Sequence, residues 1–471
     1  MDDIKAIITK IDEMIEASDD ALIRDTVRLV NIKSVKDEPC EGAPFGKGIK
    51  AVLDEFCGMA RDADLFIKDY GCGVVRAAMN EGEADLGIWL HADVVPEGDG
   101  WKFPPYEATL YKGCIIGRGS TDNKGQLAAT YNLFKIFAAS GVKLNYNPAI
   151  YLGSNEESGM MDIIGIEGNP DAKGFINVAT APKLSLVPDS SFPVGYGGKG
   201  GSSFTLKSKT PLKNLVLTAG LPDSPGLATA KFNTGAILPE SLPHCNIESD
   251  GLTVTAFTPP RHGAHPDPAG NMITRISEAL LDTDALENEE KGIFEFLRDV
   301  SGDIYGGALG IKCEDSAMGP LTVFTHKICD CDGYPEVTLN IRYPISASFE
   351  EIEEKIRSTC EARGFVVASA KNGTPSYLLD NDGEIISLLC RAANEVIGGD
   401  AKPYTLSGAT YANRLPNAYP FGMSGNLPPD DFEKGRGGAH GVDESVSIAR
   451  LKRAMKIYSR ALLYLNEAKW Y

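Results

Sequence analysis

The sequence predicts an α/β fold. One domain has a mostly parallel central sheet flanked by helices, and a second, α+β domain is inserted into it. Three observations point there. Strand-like apolar runs end three times in acidic or His residues: Leu86–Leu90 leads into His91, Ala149–Leu152 into Ser154-Asn155-Glu156-Glu157, and Leu184–Val187 into Pro188-Asp189. Between the first two lies a helix over Gln126–Ser140, with Leu127, Tyr131, Phe134 and Phe137 at helical spacing and Gly141 at its stop. Alternating strand and helix implies parallel pairing with helices on the sheet faces. After Asp189 the pattern changes, and it returns only in a closing helix.

Taken in order, Ile4–Ile15 and Ala21–Val30 carry spaced apolar positions and read as helices. Gly195-Tyr-Gly-Gly-Lys-Gly-Gly201 reads as a flexible passage and a domain boundary. Its spacing does not match the phosphate-loop pattern G-x-x-x-x-G-K-[ST]. Phe204–Lys207 and Leu252–Phe257 alternate as strands, and Met272–Leu281 is an amphipathic helix. Leu321–Ile328 and Glu336–Ile341 flank Asp332-Gly333, a hairpin signal. Phe349–Ala362 reads as a charged surface helix, then Gly364 and a strand over Phe365–Ala368. The Pro- and Gly-rich run Tyr404–Pro429 leads back to the first domain, and Val446–Leu465 closes the chain as an apolar-striped helix. The expected domains are residues 1–192 with 385–471, and the insertion 193–384.

At 471 residues the chain is too long for one ordinary core, and 43% hydrophobic with 24% charged residues is globular composition. A net charge of −19 argues against nucleic acid or an anionic membrane as partner. The start, Met-Asp-Asp-Ile-Lys, lacks the pattern of a signal peptide, and no apolar run is long enough to span a bilayer. Ten scattered cysteines form no C-x-x-C pair, so free and mostly buried thiols in a reducing cytoplasm are expected.

The chemistry concentrates in five loops. His91-Ala-Asp93-Val-Val-Pro96 places one of only six histidines where a buried strand stops. Ligands bind outside the carboxyl ends of strands in open α/β sheets. The alternative is a structural His beside a helix-capping Asp. Arg118-Gly-Ser-Thr-Asp122-Asn-Lys-Gly125, Glu156-Glu157, Asp189 and Gly-Gly-Ala-His440-Gly-Val-Asp-Glu444 follow, each flanked by Gly or Pro. Imidazole with carboxylate suits zinc, and also manganese or cobalt. Five ligands exceed one tetrahedral ion but suffice for two if a carboxylate bridges. A doubled glutamate lets one side chain hold metal while its neighbour serves as base. Adjacent strand residues would point oppositely, so Glu156 and Glu157 must lie in a loop or bulge. For Asp189 a turn-forming role is the bland alternative.

His-x-Asp-Val-Val-Pro, Arg-Gly-x-x-Asp-Asn-Lys-Gly, Asn-Glu-Glu-Ser-Gly and the late Gly-Ala-His resemble the M20 family of co-catalytic zinc peptidases, in its PepV-like dipeptidase branch. The likeness in order and spacing covers nearly the whole chain. It implies a catalytic domain carrying a lid. His91 and Asp189 would hold one ion, Glu157 and His440 the other, and Asp122 would bridge them, with a cis Asp122-Asn123 peptide. Glu156 would be the general base, and Asp93 would orient His91. Asp rather than Glu at position 189 leans, in this family, toward dipeptidases and aminopeptidases. In Arg261-His262-Gly-Ala-His265-Pro266, His262 resembles the family's oxyanion donor. Arg261 replaces the usual small residue there, so His265 stays a rival. Arg342, in Asn340-Ile-Arg342-Tyr-Pro344, resembles the lid Arg that holds the substrate carboxylate. Arg414, displaced by Asn413 from the family's position, and Asn233 are further substrate-binding candidates. His244 and His326 have no supporting motif.

These residues lead to a cytoplasmic metallopeptidase with two divalent ions, zinc first and manganese or cobalt as alternatives. It would cleave dipeptides or short unblocked peptides. A deacylase acting on N-acyl amino acids would use the same centre, and a metal-binding scaffold without catalysis is a third reading. The large lid, resembling a substitute for a dimer partner, favours a monomer.

Overall fold

The computed structural model describes residues 2–166, 172–213, 215–219, 227–232, 245–247, 253–257, 271–283, 286–423, 429, 431–433 and 435–470. The chain divides into two compact units. The larger comprises Met1–Gly197, Leu379–Tyr404 and Thr410–Tyr471, and the inserted one Gly198–Leu378 with Thr405–Ala409. No helix among the described residues is long and apolar enough to cross a membrane.

A six-stranded sheet organises the larger unit, in the order Phe66–Asp69, Val75–Ala78, Pro148–Gly153, Leu86–His91, Leu184–Val187, Ala418–Pro420. Its last four strands pair in parallel, and the first two add antiparallel. The Leu86–His91 and Pro148–Gly153 strands are buried at every position. Their apolar runs do not alternate because both sheet faces are covered. Parallel register sets His91 beside Gly153, so the two strands deliver His91 and the Ser154–Glu157 turn to the same sheet end. The crossover between them is the helix Lys124–Ser140, which stops at Gly141 in a left-handed conformation. Its stripe packs with Ile457, Tyr458 and Ala461 of the closing helix Ile448–Leu465 in one core. Val446 and Ser447, read from the sequence as the start of that helix, instead belong to the strand Ser445–Ser447, which pairs with Cys114–Ile116. The helix Lys47–Asp62 was not legible as one, since Gly48 falls in its first turn and Gly58 near its end.

The inserted unit holds two four-stranded antiparallel sheets with helices Met272–Leu281, Asn288–Gly302 and Phe349–Ala362. In Tyr334–Tyr343 every second residue is buried, the pattern of a sheet with one covered face. The hairpin turns at Asp332 and Gly333, both at positive φ. Asn271 caps its helix by accepting from the backbone N–H of Ile273 and Thr274. Gly195–Gly201 is not the flexible passage expected. It runs through two strands, Gly195–Gly198 and Gly200–Ser208, and its glycines serve close packing. A Cβ on Gly200 would lie 2.2 Å from the Tyr343 ring, and one on Gly201 2.4 Å from the Arg342 guanidinium. The cysteines also differ from expectation: Cys72, Cys114 and Cys360 are buried, Cys40 is exposed and the other six are half-buried.

Candidate metal centre

His91 ends its strand with its side chain 1% exposed. Its Nδ1 lies 2.9 Å from the Asp93 carbonyl oxygen and 3.6 Å from the Asp93 carboxylate. The ring is therefore held by the main chain of Asp93 rather than by its side chain. An Nδ1–H donated to that carbonyl leaves Nε2 as the lone-pair nitrogen. The Asp93 carboxylate is used otherwise, accepting from the backbone N–H of Glu156 at 3.1 Å and of Glu157 at 3.0 Å. Residues 156–159 form a turn just past the strand end, which lets both glutamates face the same region.

Asp122 faces two imidazoles at once. Its Oδ1 is 3.0 Å from His91 Nε2, and its Oδ2 is 3.2 Å from His440 Nε2. The same His440 nitrogen is 3.0 Å from Glu157 Oε1. His440 itself sits at positive φ, a sparsely populated conformation for a residue with a Cβ. The peptide Asp122-Asn123 is cis. Ligand-type atoms of His91, Asp122 and Glu157 lie within 4.8 Å of one another, as do those of His91, Glu156 and Asp189. The structure thus brings together all five loops singled out in the sequence.

Electrostatics fit a cation here. Burial raises the pKa of Glu156, and the neighbouring Asp189 raises it further. Burial and Asp122 push Asp189 up to about 7, and Glu157 is raised by the same two causes. Burial would lower His440, yet Asp122 and Glu157 override it and push the imidazole to about 11. Carboxyl groups crowded away from water hold their charge only if a positive charge joins them. Among the described residues, Oε1 of Glu156 is buried without a hydrogen-bond partner. A pair of divalent ions held by these N and O donors suits both the crowding and the donor set.

Two further carboxylates, undistinguished in the sequence, hold the loops. Glu444 is fully buried and accepts four hydrogen bonds from the Asp122 loop. They come from Arg118 Nη1 at 2.7 Å and from the backbone N–H groups of Gly119 at 3.0 Å, Thr121 at 2.9 Å and Asp122 at 2.9 Å. Asp162 accepts from the backbone N–H of Ser154 and Asn155 and from the Tyr411 hydroxyl, and so fixes the turn before Glu156. Burial raises Asp162 to about 6. Only its four-residue spacing from His440 marked Glu444 in the sequence.

The remaining candidates lie on other elements or outside the described residues. Arg342 lies in the inserted unit, opposite Thr322 and Gly201 in the sheet. Its guanidinium has no carboxylate partner among the described residues, its Nε is buried without a hydrogen bond, and burial lowers its pKa. Arg414 follows the short turn Tyr411–Asn413 of the larger unit and is half-buried. His326 is half-buried at a bulge of its strand and stacks with Phe324. Asn233, His244, His262 and His265 fall outside the described residues.

Known proteins place this chain. It is 26% identical over 478 residues to a Bacillus subtilis (strain 168) protein named "Putative dipeptidase YtjP", covering 96% of this chain and 98% of that one. The like-named SAR1836 of Staphylococcus aureus (strain MRSA252) is 26% identical over 480 residues, with the same coverage. The fold matches the di-peptidase Dug1p of Saccharomyces cerevisiae at TM-score 0.60 and 15% identity, covering 98% of this chain and 99% of that one. It matches human carnosine dipeptidase 1 at TM-score 0.60 and 17% identity, with equal coverage. Bacillus subtilis YXEP, described as a dinuclear metal binding peptidase, matches at TM-score 0.52 and 11% identity, covering 96% of this chain and 100% of that one. The profile of peptidase family M20/M25/M40 matches residues 87–464, and the chain belongs to that family.

Proposed function

We propose that this chain is a di-metal dipeptidase of short, unblocked substrates. The observation that carries the reading is Asp122, whose two oxygens each face a different imidazole, His91 and His440. One shared carboxylate between two imidazole-carboxylate sets is the arrangement two adjacent ions require. His91 and Asp189 would hold one ion, Glu157 and His440 the other. Zinc is the ion proposed first, with manganese and cobalt as alternatives. The dipeptidase names of the full-length relatives support the substrate class.

When bound, the ions lower the pKa of water and polarise the scissile carbonyl. Glu156, whose Oε1 has no hydrogen-bond partner among the described residues and whose pKa burial raises, accepts the proton of the attacking water and delivers it to the leaving amine. Asp93 holds Glu156 and Glu157 in place through their N–H groups, and holds His91 through its carbonyl. Arg342, whose guanidinium has no carboxylate partner among the described residues, is proposed to hold the substrate carboxylate, whose two oxygens match its fork. His262, with His265 as rival, is the proposed oxyanion donor, and Asn233 and Arg414 are proposed to contact substrate. The working setting is a monomer in the cytoplasm.

The test is a panel of dipeptides against matched N-acyl amino acids, assayed with zinc, manganese or cobalt added. The reading expects hydrolysis of dipeptides. Hydrolysis confined to the acylated amino acids would replace it with a deacylase, and inertness toward both with a scaffold.

A further inference from the structure

Tyr411 is withdrawn from water entirely, at 0% exposure, and is presented by the short turn Tyr411–Asn413. Side chains close that turn from both ends. Thr410 Oγ1 accepts from the Ala412 N–H at 3.2 Å, and Asn413 Oδ1 from the Thr410 N–H at 3.0 Å. The ring stands edge-on to Trp89 with centroids 6.1 Å apart, and Trp89 stacks on Tyr151 at 4.4 Å. Tyr151 lies two residues before Gly153, so both point to one face of the sheet. At Gly153 the Tyr411 hydroxyl takes the place of a side chain. A Cβ there would overlap Tyr411 Oη and Asp162 Oδ2.

The hydroxyl donates to Asp162 Oδ2 at 2.5 Å. The same oxygen accepts from the N–H of Ser154 at 2.7 Å and of Asn155 at 3.2 Å, while Oδ1 has no hydrogen-bond partner among the described residues. Of the donors converging on Oδ2, Tyr411 alone comes from outside the turn that Asp162 restrains. Burial and the Asp162 charge raise the Tyr411 pKa well above its usual value, so the hydroxyl keeps its proton and stays a donor. Asn155 in turn closes the far side of the turn, its carbonyl accepting from Met160 N–H at 2.7 Å and its Oδ1 from Met161 N–H at 3.0 Å. Glu156 follows directly. With no partner among the described residues for its Oε1, this side chain takes its aim from the main chain.

We propose that Tyr411 is a positioning residue for the general base: its hydroxyl, acting through Asp162, fixes the main chain from which Glu156 is aimed, and so governs turnover rather than substrate binding. The effect on turnover rests on the role of Glu156 proposed above, and the restraint on the turn does not. Without the hydroxyl, the buried Asp162 keeps only the two N–H donors of the segment it restrains, with the Asp93 charge still raising its pKa. A buried carboxylate short of donors takes up a proton. Hydrogen bonds to a neutral acceptor are about half as strong as those to a charged one. Ser154 and Asn155 are then held less firmly, while Asp93 still holds the N–H groups of Glu156 and Glu157. A small displacement suffices, since a misplacement of about 1 Å can cost about 10²-fold in rate.

The test is Tyr411→Phe in the full chain, which removes the hydroxyl and keeps the ring against Trp89. Tyr131→Phe is the control, removing another buried hydroxyl, one that donates to the Met59 carbonyl at 2.8 Å from the helix Lys124–Ser140. Amide hydrogen exchange is followed at Ser154 and Asn155, and kcat and KM are measured on a dipeptide with saturating metal. The proposal expects exchange about tenfold faster at both amides in Tyr411→Phe. It expects kcat about tenfold to hundredfold lower, KM within about twofold of wild type, and unchanged metal content. In an Asp162→Asn background the same substitution should lower kcat by less than about twofold, since both act through one link. Tyr131→Phe should alter neither kcat nor exchange at these amides. Unchanged exchange at Ser154 and Asn155 in Tyr411→Phe overturns the proposal. So does a kcat within about twofold of wild type, a loss that appears in KM instead, or an equal fall in Tyr131→Phe. If the wild type cleaves no dipeptide, the proposed function fails while the exchange rates still decide the restraint.

Discussion

Glu444→Gln should loosen the metal centre without touching a candidate ligand. Oε1 of Glu444 accepts from Thr121 N and Asp122 N, and Oε2 from Arg118 Nη1 and Gly119 N. Either orientation of a glutamine amide turns an NH2 group toward two donors. Two hydrogen bonds are lost, and the Arg118 guanidinium, 1% exposed, loses its counter-charge. Breaking a buried pair by removing one partner costs about 3–5 kcal/mol. Glutamine retains two acceptor contacts, so about 3 kcal/mol is expected for the metal-free protein. Asp122 hangs directly from this carboxylate, so metal affinity should fall about 10–100-fold, as for the loss of a group that orients a ligand. Urea unfolding of metal-free protein measures the first quantity, and competition with a chelator the second. Stability within about 0.5 kcal/mol of wild type, the range of an ordinary surface substitution, together with unchanged metal affinity, would refute the clamp.

Three other outcomes follow from the same geometry. Glu156→Gln should keep the metal content and lower kcat about 10²–10⁴-fold, the contribution of a general base; elemental analysis with steady-state kinetics checks it. Asp162→Asn should change the pH dependence of stability. The Asp162 pKa is raised from 3.8 to about 6, so the folded protein holds this proton more tightly than the unfolded chain. That contribution is complete below 3.8 and is lost as pH rises toward 6, about 3 kcal/mol at 1.36 kcal/mol per unit. Unfolding curves at pH 4 and pH 7 should therefore show the asparagine variant gaining on wild type at the higher pH, and parallel curves would contradict the assignment. Arg342→Ala should raise KM for unblocked dipeptides, with about a tenfold to hundredfold loss in kcat/KM from a missing charged hydrogen bond. It should also erase the preference over C-terminally amidated analogues.

What the sequence made legible was local. His91 at a strand end, the doubled glutamate after the next strand and Gly141 at a helix stop each announce themselves within a few residues, because periodicity and stop signals are short-range. The hairpin at Asp332-Gly333 is of the same kind. What stayed hidden depends on partners far along the chain. Glu444 reads as one more acid until it folds against Arg118, 326 positions earlier. Asp93 was legible as a neighbour of His91, but not as the acceptor for two N–H groups more than sixty residues away. Gly195–Gly201 misled because glycine marks both flexibility and close approach. Only the Tyr343 ring and the Arg342 guanidinium, brought alongside by strand pairing, decide for the second. The five ligand-bearing loops were separable in the sequence, whereas Asp122 standing between two imidazoles is a fact of the folded chain.

The most direct measurement is the number of divalent ions held per chain, read by elemental analysis of dialysed protein alongside dipeptidase activity. The account predicts two ions, activity that disappears as they are chelated and returns as they are restored, and less than two in His440→Ala. A single tightly held ion in fully active protein, or activity indifferent to chelation, would contradict it.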